Sequence, residues 1–386
     1  MQTAVTNWLL SEGARSETPQ ALLEDFARFL GELGIPISRL ALTMAQLNPV
    51  IRGVTFEWNR GSKAFEIQRR RDTLMSRVLS HSPIGWVMRT GEPLRRRLVG
   101  PEADLDFPVL EELRDKGVTD YYIVPHRLDK PLQGGMVVYN SDRVEGFDAA
   151  HIELFRAITP VFMMVGQIHG AHRSITGLLT AYVGEEPAQR ILAGEVVQGI
   201  GHTTRALVWL CDLRGFTSLS ETLARDEMLG LLNAYFSAAV ESVTESDGEV
   251  LKFMGDAILA IFRCDKAGDG DAARRALSAA NALLERIAAL NAERGGGGNY
   301  PEIRCGIALH LGPVTYGNIG APERLDFTVI GPTVNLVSRL AQLCKPLGEQ
   351  VVLSAEAAKA AGSTMRSLGR HSFKGILGER EAFAPA

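Results

Sequence analysis

Over residues 21–33 apolar side chains recur at Leu22, Leu23, Phe26, Phe29 and Leu30. That spacing lines one face of a helix, and Gly34-Ile35-Pro36 closes it. Two strand-like runs follow, 39–47 and 54–58, and Asn59-Arg60-Gly61 reads as a turn. A loop is predicted at 89–93. Two short β-branched and aromatic runs, 120–125 and 134–139, are joined by a polar, Pro-containing turn. From 147 to 168 the helical period returns through Ile152, Phe155 and Ile158. Between 169 and 198 apolar positions at Ile175, Leu178, Leu179, Tyr182, Val183, Ile191 and Leu192 predict a helical connector interrupted at Gly184 and Pro187. Such a connector could pack against a second copy of itself.

Beyond residue 204 the pattern tightens. Residues 206–211 form a continuous apolar run, the signature of a strand buried on both faces. The run delivers Asp212 at its end, before Leu213-Arg214-Gly215-Phe216-Thr217. A carboxylate there, ahead of a glycine turn into a helix, can hold a metal while free N–H groups face phosphates; it can equally be a helix N-cap. Residues 249–262 read as two strands flanking Met254-Gly255-Asp256, a tight hairpin with Asp256 at its tip. Two carboxylates brought together repel unless a cation lies between them, and magnesium takes one or two carboxylates plus substrate phosphate. Asp256 alone could also be a turn residue serving its own backbone. In 326–340 a strand ends at Gly331, Pro332 suits a first helical turn, and Asn335 and Arg339 share one helix face. Leu336 and Leu340 should pack inward on the adjoining face.

Composition narrows the class. The 386 residues fit two domains and a connector, with 46% hydrophobic and 22% charged residues and a net charge of −4. No basic field argues for nucleic acid. The arginine runs at 69–71 and 95–97 read as solvated faces. The first 18 residues lack a basic region leading into an apolar core, and the most apolar window, 158–168, is far shorter than a bilayer span. A cytoplasmic protein without a membrane span is the expectation. Cys211, Cys264, Cys305 and Cys344 show no CxxC pair and read as buried reduced thiols. The glycine stretch 295–298 reads as a surface loop.

The motifs DLRGFT, KFMGD and FTVIGPTVNLVSR, with LHLGPVTYGNIG before the last, resemble the class III nucleotidyl cyclases in the family's order, over about 204–383. The resemblance implies a ferredoxin-like α/β (α+β) catalytic domain that works as a head-to-tail homodimer with sites at the interface. It implies two Mg²⁺ or Mn²⁺ ions on Asp212, Asp256 and the Leu213 carbonyl, with Phe216 and Thr217 on the phosphate-facing turn. Lys252 and Thr328 would recognise adenine, Asn335 would orient the ribose, and Arg339 would stabilise charge on the α-phosphate. Lys374 resembles the lysine on the terminal phosphates, and Arg304 is a further phosphate candidate, two positions early for the pattern. Pro332 stands where Asp or Asn is usual. Lys and Thr at the base-reading positions point to ATP, as in one bacterial subgroup, because guanylate cyclases typically carry Glu and Cys there. His310 reads as structural.

Residues 117–168 resemble a GAF-type sensory domain, which implies a signal-sensing pocket and dimerising helices with no ligand specified. The resulting division is a GAF-like α/β sensor at 1–170, a connector at 171–203 and the cyclase domain at 204–386. The expected function is conversion of ATP to cyclic AMP and pyrophosphate. The rivals are a guanylate cyclase and a catalytically silent nucleotide-binding or scaffold module.

Overall fold

The computed structural model describes residues 1–70, 81–127, 134–199, 201–265, 267–295 and 301–386. The chain forms two compact units, Met1–Tyr182 and Val183–Ala386.

The first unit runs α1 (Gln2–Ser11), α2 (Pro19–Glu32), β1 (Arg39–Ala45), β2 (Ile51–Asn59), β3 (Phe65–Arg70), α3 (Pro83–Thr90), β4 (Leu94–Arg97), α4 (Pro108–Asp115), β5 (Asp120–Arg127), β6 (Gly134–Ser141) and α5 (Ala149–Val183). The strands pair antiparallel in the order β3-β2-β1-β6-β5-β4. Strand side chains alternate between faces. Leu40, Val137 and Tyr139 meet Leu22, Phe26, Phe155 and Phe162 of α2 and α5 on one side. Ala41, Ile123 and Val138 meet Val87 and Leu110 of α3 and α4 on the other. Thr18 caps α2 by accepting the Ala21 N–H at 3.1 Å, with Pro19 in the first turn.

Two expectations change here. The 95–97 arginines are not a solvated face: Arg95 and Arg97 both pair with the fully buried Asp120, and Arg96 pairs with Asp104 and Asp106. A carboxylate is tolerated in that core because guanidinium donors surround it. The other run ends at Arg71, outside the described residues. Helix α5 is long and apolar enough to cross a membrane by length and composition, with a mean hydropathy of 1.2. A core helix passes the same test, and 44% of the most apolar stretch is buried. Its apolarity has a local cause, because Phe155, Ile158, Phe162 and Met163 are core residues of this unit.

In the second unit Gly184 (φ +92°) stands between α5 and α6 (Glu185–Leu192). Pro187 does not interrupt α6, since it occupies the first turn where no N–H is needed. Then follow β7 (Gly201–Leu213), α7 (Phe216–Thr222), α8 (Arg225–Glu245), β8 (Glu249–Met254), β9 (Ala257–Arg263), α9 (Gly268–Gly295), β10 (Cys305–Ala321), β11 (Arg324–Ile330), α10 (Pro332–Leu347), β12 (Val351–Ser354), α11 (Ala355–Ala361), β13 (Met365–Ser372) and β14 (Glu379–Pro385). Helix α9 takes in Gly295, and residues 296–298 of the expected loop lie outside the described residues.

The sheet order is β13-β14-β12-β10-β7-β9-β8, with β11 paired to β10. Its centre is a β-α-β-β-α-β unit (β7, α8, β8, β9, α9, β10) whose spatial order β10-β7-β9-β8 is ferredoxin-like. Helices α8 and α9 cover one face over Trp209, Tyr235, Phe262 and Leu283. Helix α10 covers the other over Val208, Val337, Leu340 and Val352. With helices on both sides, β7 is buried on both faces, which explains its unbroken apolar run. All four cysteines are buried and free.

Candidate active site

The register of the central strands assembles the acidic end of the site. Asp212, next to last in β7, lies opposite Ala257, the first residue of β9. Met254 pairs with Ala257 across a two-residue turn, Gly255-Asp256. Gly255 has φ +67°, at the first central position where a II′-type hairpin turn favours glycine. Asp256 thereby reaches Asp212, and the two carboxyl groups lie within hydrogen-bonding reach. Burial first, and the Asp256 charge second, push the Asp212 carboxyl up to about 6, against the pull of Arg214. Among the described residues no cluster of three or more His, Cys, Asp or Glu forms a closed metal centre. Two facing carboxylates at a strand end instead fit a hard divalent cation completed by ligand oxygens. Leu213 ends the strand, Phe216 is half-buried against the core, and Thr217 is exposed.

A second group gathers around β8 and β11. Lys252 Nζ donates to Asp326 Oδ2 at 2.7 Å. Two residues on, with the same strand parity, Thr328 is 4% exposed, and its Oγ1 has no hydrogen-bond partner among the described residues. Phe327 has the opposite parity and meets the Tyr316 ring edge-on at 4.9 Å. Asp326 was missed in the sequence. Its place two residues before Thr328 was the available signal, but only the fold shows that a lysine on another strand reaches it.

Helix α10 starts at Pro332 after β11, held to β10 by the Thr333 hydroxyl donating to the Pro313 carbonyl at 2.6 Å. Leu336 and Leu340 are buried, as their spacing predicted. Asn335 is exposed and Arg339 half-buried. Pro332 disturbs nothing, because the first helical turn needs no N–H from it. Arg304 is exposed, pairs with Glu302 at 3.7 Å, and accepts the Arg214 N–H at its carbonyl. His310 is buried with Nδ1 2.8 Å from the Ser354 hydroxyl, a packing role. Lys374 is exposed in the β13–β14 loop. That loop joins the two strands at the sheet edge opposite β8. One chain thus joins Asp212 to Asp256 and Lys252 to the Asp326–Thr328 strand, while Lys374 stands on the β13–β14 loop.

Residues 202–383 match the family model for the adenylate and guanylate cyclase catalytic domain. The chain is 35% identical over 159 residues to an adenylate cyclase of Anabaena cylindrica, covering 40% of this chain and 30% of that protein. It is 28% identical over 234 residues to adenylate cyclase 1 of Rhizobium meliloti, covering 60% of this chain and 34% of that protein. The chain therefore spans about a third of the length of these curated relatives. The crystal structure of the adenylyl cyclase CyaB from P. aeruginosa aligns with 28% identity and a TM-score of 0.44, covering 48% of this chain and 94% of that one. Over residues 202–383 the chain is thus similar to the catalytic domain of the adenylate and guanylate cyclases.

Proposed function

We propose that this chain is an adenylate cyclase that closes ATP to cyclic AMP and pyrophosphate as a homodimer, under control of its N-terminal unit. The observation that carries the reading is the Asp212–Asp256 pair, two carboxyls held together with Asp212 raised to about 6. Such a pair is a strained ground state that a dication relieves. Mg²⁺ or Mn²⁺ held there, two per site, would lower the pKa of the ribose 3′-hydroxyl and neutralise the departing pyrophosphate.

The remaining residues bind and orient. The unpartnered Thr328 hydroxyl can accept from the adenine amino group, and Lys252 can donate to a ring nitrogen. Asn335 and Arg339, four apart on α10, would hold the ribose and meet the charge that develops on the α-phosphate. A second copy supports the scheme in two ways. It would bring its own Lys374 to the first copy's carboxylates. It would also cover Phe253, Met254, Ile330 and Leu377, which are exposed. The first unit would serve as a GAF-like sensor of an unassigned signal, acting through 171–203, and the protein would work in the cytoplasm.

A guanylate cyclase is the second reading, and Asp326 is the observation that favours it. A carboxylate suits the guanine ring N–H and amino group, but here its charge is engaged by Lys252. The test is full-length protein with ATP or GTP and Mn²⁺ or Mg²⁺, assayed for cyclic nucleotide beside Asp256→Ala. Cyclic AMP from the parent and none from the variant supports the proposal. Cyclic GMP in excess would move the assignment to the second reading, and no product from a folded dimer would leave a silent binding module.

A further inference from the structure

Helix α6 and the turn after it are tied to the catalytic domain through a cluster of charges on the strands that carry the base-reading residues. Arg190 pairs with Glu186 at 3.0 Å and Glu195 at 3.3 Å. Its guanidinium stands 5.4 Å from the Tyr316 ring centre and 5.9 Å from that of Phe327. Arg263 of β9 pairs with both Glu186 and Asp265. Asn318 of β10 donates to the Glu195 carbonyl at 2.6 Å. At the centre the Tyr316 hydroxyl donates to Glu249 Oε1 at 2.5 Å. The other oxygen, Oε2, is buried with no hydrogen-bond donor.

The Glu186 carboxyl lies within hydrogen-bonding reach of Glu249. Two carboxylates have no hydrogen to share, so that contact becomes a bond only when one of them carries a proton. The groups facing Glu249 are Glu186 on α6, Arg263 on β9 and Tyr316 on β10. Behind them stand Arg190, Glu195, Asp265 and, on β7, His202, whose ring meets Tyr316 edge-on at 5.8 Å. Farther along β8, Lys252 is engaged by Asp326.

We propose that α6 is a clamp that positions the two base-reading strands, and that it grips when Glu249 carries a proton to share with Glu186. The leverage is short. Glu249 is three residues before Lys252 on β8, and Phe327, under Arg190, adjoins Thr328 on β11. Burial above all pushes the Glu249 carboxyl up to about 7. The Tyr316 hydrogen bond pulls it down, the Glu186 charge raises it, and Arg263 lowers it. The sign follows. Because the folded form holds the proton more tightly than the unfolded chain, this group's contribution to stability falls as pH rises from about 4.5 to about 7. Above that range the clamp carries two facing charges and loosens. Arg190, Glu186 and Glu249 are positioning residues, and the inference rests on the adenylate cyclase reading for the base-reading role of Lys252 and Thr328 and for its kinetic readout.

Hydrogen exchange of β8 and β11 amides, corrected for intrinsic rates, tests it on the full chain at about pH 6.5 and about pH 8.5. Protection should fall several-fold at the higher pH in the parent, stay constant in Glu249→Gln, and be low at both in Arg190→Ala. KM for ATP should follow the same order, with kcat changing less. An unchanged pH response in Glu249→Gln, or full protection in Arg190→Ala, overturns the proposal. If the exchange pattern holds but no cyclic nucleotide forms, only the functional assignment falls and the clamp stands.

Discussion

Asp120 in the first unit and Asp212 in the second are carboxylates withdrawn from water into opposite company. Asp120 is fully buried, yet it accepts from Arg95 at 2.7 Å, from Arg97 at 3.3 Å and from the Phe147 N–H at 2.9 Å. Asp212 is half-buried and faces another acid, and its carboxyl rises to about 6. The first arrangement is complete and needs no visitor. The second is incomplete in one specific way, since the pull of Arg214 does not offset burial and the facing acid. A buried charge with its donors supports the fold; one left against a like charge marks chemistry.

The largest effect expected from this contrast is at the incomplete site. Asp256→Ala should lower cyclic AMP formation by about 10³-fold or more, about 4 kcal/mol of barrier, while leaving the melting temperature equal or higher. A variant that melts early would place Asp256 among the structural acids and erase the contrast. Asp120→Ala should do the reverse, costing about 3–5 kcal/mol because two guanidinium groups lose their buried partner. Urea unfolding followed in the first unit would measure it, and a loss below 1 kcal/mol, about the size of an exposed pair, would contradict the reading.

Smaller effects sharpen the division. Arg339→Ala should reduce kcat by about 10²-fold with KM nearly unchanged, because its charge is called on mainly as the transition state forms. A rise in KM alone would recast Arg339 as a ground-state phosphate clamp. Smallest of all, saturating Mn²⁺ should raise the melting temperature of the parent by about 2–4 °C and leave that of Asp256→Asn unmoved. Equal shifts in both proteins would locate the metal elsewhere.

The sequence made the catalytic domain legible because its chemistry is written in short local runs. A continuous apolar strand ending in Asp212, a hairpin tip at Asp256 and a helix carrying Asn335 and Arg339 can each be read without knowing what packs on them. Asp326 could not be read this way. Its meaning depends on Lys252, 74 residues earlier, crossing from another strand. The same holds for Arg95 and Arg97, which look like surface charge until the fold places Asp120 between them and the core. Glu186 and Glu249 were hidden for a related reason, since proximity across β8 and α6 is a product of topology and leaves no local pattern. The two helical stretches expected at 147–168 and from 169 to Gly184 run together as one helix, α5.

The two-residue turn at Gly255-Asp256 has a further consequence, for insertions and deletions. Hairpin tips usually tolerate changes of length, since extra residues bulge into solvent. Here the tip is a ruler with a functional mark on each side, Lys252 on the incoming strand and Asp256 at the end. One added residue before the turn would either carry Asp256 past Asp212 or turn Lys252 to the other face of the sheet. This exposed loop should therefore tolerate substitution at Met254 far better than any change of length.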